Sequence, residues 1–192
     1  MNMKRFTLLL SALAITGAAA FAQTYKTNLS ATPDIVDLFC AAAPHDACDI
    51  VAMDFVADIV KGKEKPSYAH STVDKKNGYI KVEIGENEDY KMVESCYWKM
   101  NNGNRLLAIS HVNSAEPMTL HFYEFNPKAR TLKAIPQPFD LFLEYTESLQ
   151  YELPQHGKSI KAISYDYLAG NGKPYSWSIT WNGKSFDIKR VN

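Results

Sequence analysis

The side chains best suited to chemistry are Glu94, Cys96 and His111, because a carboxylate, a thiol and an imidazole held together make an activated nucleophile. A two-residue turn at Asn102-Gly103 predicts the register that would assemble them. It sets Met100 opposite Arg105, Trp98 opposite Leu107, Cys96 opposite Ile109 and Glu94 opposite His111. The same register places Trp98, Leu107 and Ile109 on that face, which favours a buried, inert Cys96 and a Glu94–His111 ion pair at the sheet edge. No catalytic residue is therefore assigned. The sequence also lacks His-Glu-x-x-His, Gly-x-Ser-x-Gly, a phosphate-binding loop, Gly-x-Gly-x-x-Gly and Cys-x-x-Cys.

Metal and ligand chemistry have thinner support. His111 and His121 fall on successive strands and can approach one another, but two imidazoles without a third ligand do not define a metal site, and no metal or other cofactor is assigned. Glu86-Asn87-Glu88-Asp89 lacks the ligand spacing of a calcium loop and reads as a solvated turn. Lys61, Lys63, Lys65, Lys75 and Lys76 read as a solvated helix end and loop. The aromatic series Tyr165, Tyr167, Tyr175, Trp177 and Trp181 is the best ligand candidate, since flat rings with polar tips stack on sugars and small amphipathic molecules. Tyr167, Tyr175, Trp177 and Trp181 are taken as the candidate ligand-binding residues. A series of this kind is more often core.

These residues must be positioned by two kinds of element. Thr32-Pro33 has the form of a helix start, and Ile35, Leu38, Phe39 and Ala42 recur with helical spacing up to Pro44. A second helix is expected from about Asp46, carrying Ile50, Val51, Phe55 and Ile59, to Lys61-Gly62-Lys63. Thr24 to Ser30 reads as a polar lead-in. From Ser71 the period becomes two, and strands are expected over 78–84, 117–125, 130–135 and 148–153, with 136–146 open between strand and helix. Asn182-Gly183 predicts Trp181 opposite Lys184, Ile179 opposite Phe186 and Trp177 opposite Ile188. A three-residue loop at Gly170-Asn171-Gly172 predicts Tyr167 opposite Tyr175, Tyr165 opposite Trp177 and Ile163 opposite Ile179. The expected fold class is α+β: a short N-terminal helical hairpin packed on an antiparallel β-meander of about eight or nine strands. A closed lipocalin-like barrel is the alternative.

Residues 1–22 have the pattern of a secretory signal: Lys4 and Arg5, an uncharged run from Phe6, and a small-x-small ending at Ala20-Phe21-Ala22. Residues 23–192 are then the single mature domain. The 46% apolar and 22% charged composition is that of a packed globular protein. With 21 basic and 21 acidic side chains before Lys4 and Arg5 are removed, a nucleic-acid partner is not expected. The expected product is periplasmic or secreted, with no membrane insertion after cleavage. In such a compartment Cys40 and Cys48 are the candidate disulfide, leaving Cys96 unpaired.

The run Tyr97-Trp98-Lys99-Met100-Asn101-Asn102-Gly103 into Leu106-Leu107-Ala108-Ile109, then Leu120-His121-Phe122-Tyr123-Glu124-Phe125-Asn126-Pro127 and Trp181-Asn182-Gly183, resembles small exported proteins of Gram-negative gut-type bacteria. That family of secreted domains has no assigned activity, so the resemblance implies export and no catalytic residue. The sequence as a whole is read as an exported, non-catalytic binding or interaction protein, recognising a small amphipathic or sugar-like ligand or an extracytoplasmic protein. The alternative is an extracytoplasmic hydrolase-type enzyme or an enzyme inhibitor.

Overall fold

Ile35, Leu38, Phe39 and Ala42 form the buried stripe of helix α1 (Ile35–Ala42), as their spacing predicts, and all four are inaccessible to solvent. The helix is capped by Asp34 rather than by the expected Thr32. The Asp34 carboxylate accepts the Asp37 N–H at 3.0 Å, and the Asp37 carboxylate accepts the Asp34 N–H at 3.1 Å. A charged acceptor at a helix N-terminus bonds more strongly than a hydroxyl, which is why the start moves two residues on. A 3-10 turn, Ala43–His45, follows. The second helix, α2 (Met53–Val60), begins well after the expected Asp46, so Asp46 and Cys48 lie on an extended connection instead of a helix face. It ends at Lys61, where Gly62 takes the left-handed conformation (φ +71°) that closes it.

The computed structural model describes residues 23–48, 51–86, 89–113, 116–141, 148–165 and 175–191. The strands, in chain order, are β1 (Thr24–Lys26), β2 (Ala69–Asp74), β3 (Tyr79–Ile84), β4 (Lys91–Lys99), β5 (Arg105–Asn113), β6 (Glu116–Asn126), β7 (Thr131–Ile135), β8 (Ser148–Glu152), β9 (Ser159–Tyr165), β10 (Tyr175–Trp181) and β11 (Phe186–Arg190). They build two open antiparallel sheets, ordered β1-β7-β6-β5-β4-β3-β2 and β11-β10-β9-β8, in place of the alternative closed barrel. The α+β class holds, with more strands among the described residues than expected and with a 3-10 turn and the non-helical residues 46–48 after α1 in place of a tight helical hairpin. Part of the polar lead-in becomes β1, the edge strand of the larger sheet, paired with β7. Of the ambiguous segment, 136–141 is irregular and 142–146 lies outside the described residues. Among the described residues no helix is long and apolar enough to cross a membrane.

Alternation along the larger sheet gives it two buried faces. Ile80, Val82, Val93, Leu107, Ile109, Tyr123 and Phe125 pack under the helices. Tyr79, Cys96, Trp98, Leu106, Ala108 and Phe122 pack against Ile160, Ala162, Ile179, Trp181 and Phe186 of the smaller sheet. The result is three layers, with the larger sheet in the middle.

The hairpin registers differ from those the Asn-Gly pairs predict, and parity decides what each difference does. Between β4 and β5 the loop is Met100–Asn104, closed by Met100 N–H to Asn104 O at 2.9 Å and by Gly103 N–H to Met100 O at 3.0 Å, with Gly103 at φ +87°. Trp98 therefore faces Leu106, Cys96 faces Ala108, Glu94 faces Ser110 and Val93 faces His111. A shift of one residue turns the expected partners onto opposite faces. Between β10 and β11 the shift is two: Trp181 faces Phe186, Ile179 faces Ile188 and Trp177 faces Arg190. An even shift keeps the apolar side chains on one face. Between β9 and β10 the expected parity fails, since Trp177 faces Ala162, Ile179 faces Ile160 and Tyr175 faces Ser164. The Gly170-Asn171-Gly172 loop itself lies outside the described residues.

Candidate metal centre

The one-residue shift separates the nucleophile candidates. Glu94 and Cys96 point between the sheets, whereas His111 points to the helices. Glu94 is buried, accepting the Tyr79 hydroxyl at 2.6 Å and the Leu153 N–H at 3.2 Å, and burial raises its pKa. Cys96 is also buried, which pushes its thiol well above the usual range. That is the opposite of what a nucleophilic cysteine needs.

On the helix side, a different group forms around His111. Strands β5 and β6 pair His111 with Thr119 and Ile109 with His121, so the two histidines are diagonal neighbours on one face. Their ring centroids lie 5.3 Å apart at 81°. The connection after α1 lowers Asp46 onto the pair. Its Oδ1 lies 2.9 Å from His121 Nδ1 and 3.1 Å from His111 Nε2, and its Oδ2 accepts the Tyr123 hydroxyl at 3.1 Å. That hydroxyl also reaches the His45 carbonyl at 3.4 Å, and the His45 ring stacks on Tyr25 of β1 at 3.6 Å. The Asp46 side chain is fully covered and His111 is 3% exposed, while His121 at 32% opens the group to solvent.

Electrostatics at the group are strongly coupled. Burial works against the Asp46 charge, but the two histidines overcome it and hold the carboxyl down at about 2. Burial likewise disfavours protonated His111, yet the adjacent Asp46 and Cys48 raise it to about 9. Without a metal the pair is an imidazolium–carboxylate clamp between connection and sheet.

The clamp leaves one polar atom without a directed partner. His111 Nε2 is close enough to Asp46 for Coulomb attraction but off the line that an N–H···O bond requires, so it makes no hydrogen bond. The opposite nitrogen, Nδ1, is held by Thr119 Oγ1 at 2.9 Å. A histidine fixed through one nitrogen, with the other lying beside a carboxylate and a second imidazole but bonded to neither, has the arrangement of a metal ligand with its outer-shell support. One ligand atom from each of Asp46, His111 and His121 lies within 4.8 Å of the others. With metal–ligand bonds of about 2.0–2.1 Å, neighbouring ligand atoms of a tetrahedral zinc site are ~3.3 Å apart, so the two separations from Asp46 Oδ1, 2.9 and 3.1 Å, need open by only a few tenths of an ångström.

The other expected residues stand elsewhere. Trp181 is buried between the sheets, donating its indole N–H to the Lys99 carbonyl at 3.0 Å, and Trp177 is half-buried against the same core. Tyr167 and the side chains of Tyr165 and Tyr175 lie outside the described residues. Of the two candidate disulfide residues, Cys40 directs its thiol to the Ala57 carbonyl, and both Cys40 and Cys48 pack half-buried against the core under the helices. Lys63 and Lys75 make exposed ion pairs with Asp58 and Asp34. Asn87 and Glu88 of the acidic turn lie outside the described residues.

No family model, curated protein or solved structure matches this chain. The site therefore stands on its own geometry. Sequence reasoning reached His111 and His121 and missed Asp46, which a helix starting at that position would have hidden. The available signal was His45-Asp46-Ala47-Cys48, a run of potential ligands directly after a proline-limited helix.

Proposed function

We propose that the protein is an exported binding protein whose ligand is a divalent transition-metal ion of zinc type, held by Asp46, His111 and His121. The observation that carries this reading is the buried, undirected Nε2 of His111, converging with Asp46 Oδ1 and His121 Nδ1. Mixed imidazole and carboxylate donors suit zinc and its neighbours better than calcium or magnesium, which prefer all-oxygen sites. A role in binding is supported by the enclosure of the Asp46 carboxylate, whose side chain is fully covered. The export signal read at residues 1–22 would place the protein where free metal is handled outside the cytoplasm.

The test is zinc titration of the intact exported chain against a chromophoric chelator. One zinc per chain is expected, with affinity weakened at least about tenfold in His111→Ala and in Asp46→Asn. Unchanged competition in both variants would refute the reading.

A further inference from the structure

We infer that Tyr123 sets which metal the site accepts, because its hydroxyl occupies the second oxygen of Asp46 and leaves a single oxygen for the ion. This rests on the metal-binding reading above. Alternation along β6 puts His121 and Tyr123 on one face, two residues apart, so a ligand and the group that steadies a neighbouring ligand come from the same strand. The Tyr123 O–H carries one proton and has two acceptors in reach, Asp46 Oδ2 at 3.1 Å and the His45 carbonyl at 3.4 Å. The nearer, charged acceptor takes it. Tyr123 is itself buried in the core under the helices, flanked by Leu107 of β5 and Ala134 of β7, which holds its ring in place.

The carboxylate is thereby divided. Its Oδ1 lies 2.9 Å from His121 Nδ1 and 3.1 Å from His111 Nε2, whereas its Oδ2 is engaged by Tyr123. A tetrahedral zinc ion needs only one oxygen from such a group. Larger divalent ions take more ligands and accept both oxygens of one carboxylate, as calcium does. To do so here an ion must strip Oδ2 from Tyr123 and leave a buried hydroxyl without its charged acceptor, a loss that disfavours the larger ion. Cadmium(II) is the discriminating probe, being larger than zinc while still binding imidazole. Tyr123 is thus a positioning residue that acts through Asp46.

The experiment compares zinc and cadmium on the intact chain by competition with a chromophoric chelator. Tyr123→Phe keeps the ring and removes the hydroxyl. Zinc affinity is expected to fall about tenfold, while cadmium affinity holds or rises, so that the zinc-to-cadmium ratio drops at least about tenfold. Thr119→Val, which loosens His111 instead, should weaken both ions alike and leave the ratio at its parent value. A ratio unchanged in Tyr123→Phe would overturn the inference while zinc binding itself stands. Infrared difference spectra of the zinc-loaded parent chain give a reading that needs no variant, since one-oxygen coordination widens the separation of the carboxylate stretches and two-oxygen coordination narrows it. The wide separation is expected, and the narrow one would also overturn the inference. No zinc bound by the parent chain would overturn the metal-binding reading itself.

Discussion

Asp46 and His121 are 75 residues apart in the chain, yet the Asp46 carboxylate accepts the His121 Nδ1–H at 2.9 Å. The contact joins the connection between the helices to the sixth strand of the larger sheet. It exists because α1 stops at Ala42 and, after the 3-10 turn Ala43–His45, residues 46–48 leave the helical path.

The outer-shell role of Thr119 gives a graded test. Thr119→Val removes the oxygen that holds His111 Nδ1 without removing a ligand. Zinc affinity is expected to fall about 10–100-fold while the unfolding midpoint of the metal-free chain moves little, measured by chelator competition and urea titration.

The metal-free clamp makes stability depend on pH from both sides. Asp46 has a lowered pKa, so its contribution is present above the unfolded value of 3.8 and is lost as pH falls towards about 2. His111 has a raised pKa, so its contribution is complete below 6.5 and is lost as pH rises through about 9. Both shifts report one buried pair, on the order of 3 kcal/mol counted once. Urea midpoints of the metal-free chain should peak between these limits, and His111→Gln should flatten the alkaline limb.

Metal affinity should run the other way. His111 is protonated up to about 9 in the metal-free protein, so zinc must displace that proton at neutral pH. Apparent affinity is expected to rise by up to about tenfold per pH unit below that limit, as followed by calorimetry in buffers of different ionisation enthalpy. A pH-independent affinity would remove His111 from the ligand set.

Thiol reactivity distinguishes the three cysteines. Cys96 is 2% exposed and its thiol is pushed up by burial, so iodoacetamide should leave it unmodified in the folded chain. Cys40 and Cys48, both half-buried, should react. Peptide mapping of the alkylated protein reads both outcomes.

Gly183 tests the docking of one hairpin on another. It has φ +101°, its carbonyl accepts the Asn101 N–H at 2.9 Å, and an added Cβ would strike the Asn101 side chain. Gly183→Ala is expected to cost about 1–3 kcal/mol by urea unfolding, with zinc affinity unchanged.

Much of the architecture was legible because it depends on period. The Ile35, Leu38, Phe39, Ala42 stripe and the alternating strands need only local spacing, and both are found where expected. Registers were less legible because an Asn-Gly pair marks a corner without fixing how many residues go round it. Five residues at Met100–Asn104 move His111 away from Glu94 and Cys96; four at Asn182–Ser185 leave Ile179 and Trp181 on their expected face. Asp46 was hidden by a different ambiguity, since apolar spacing around Ile50 and Val51 continues a helix pattern upstream of the real start at Met53. Its partnership with His111 and His121 depends on tertiary packing that no local period records.

Anomalous diffraction at the zinc edge, from crystals of the zinc-loaded chain, tests the central claim most directly. The account predicts one strong peak about 2.0–2.2 Å from Asp46 Oδ1, His111 Nε2 and His121 Nδ1. A peak only on surface carboxylates, with the Asp46–His111–His121 clamp intact and empty, would contradict it.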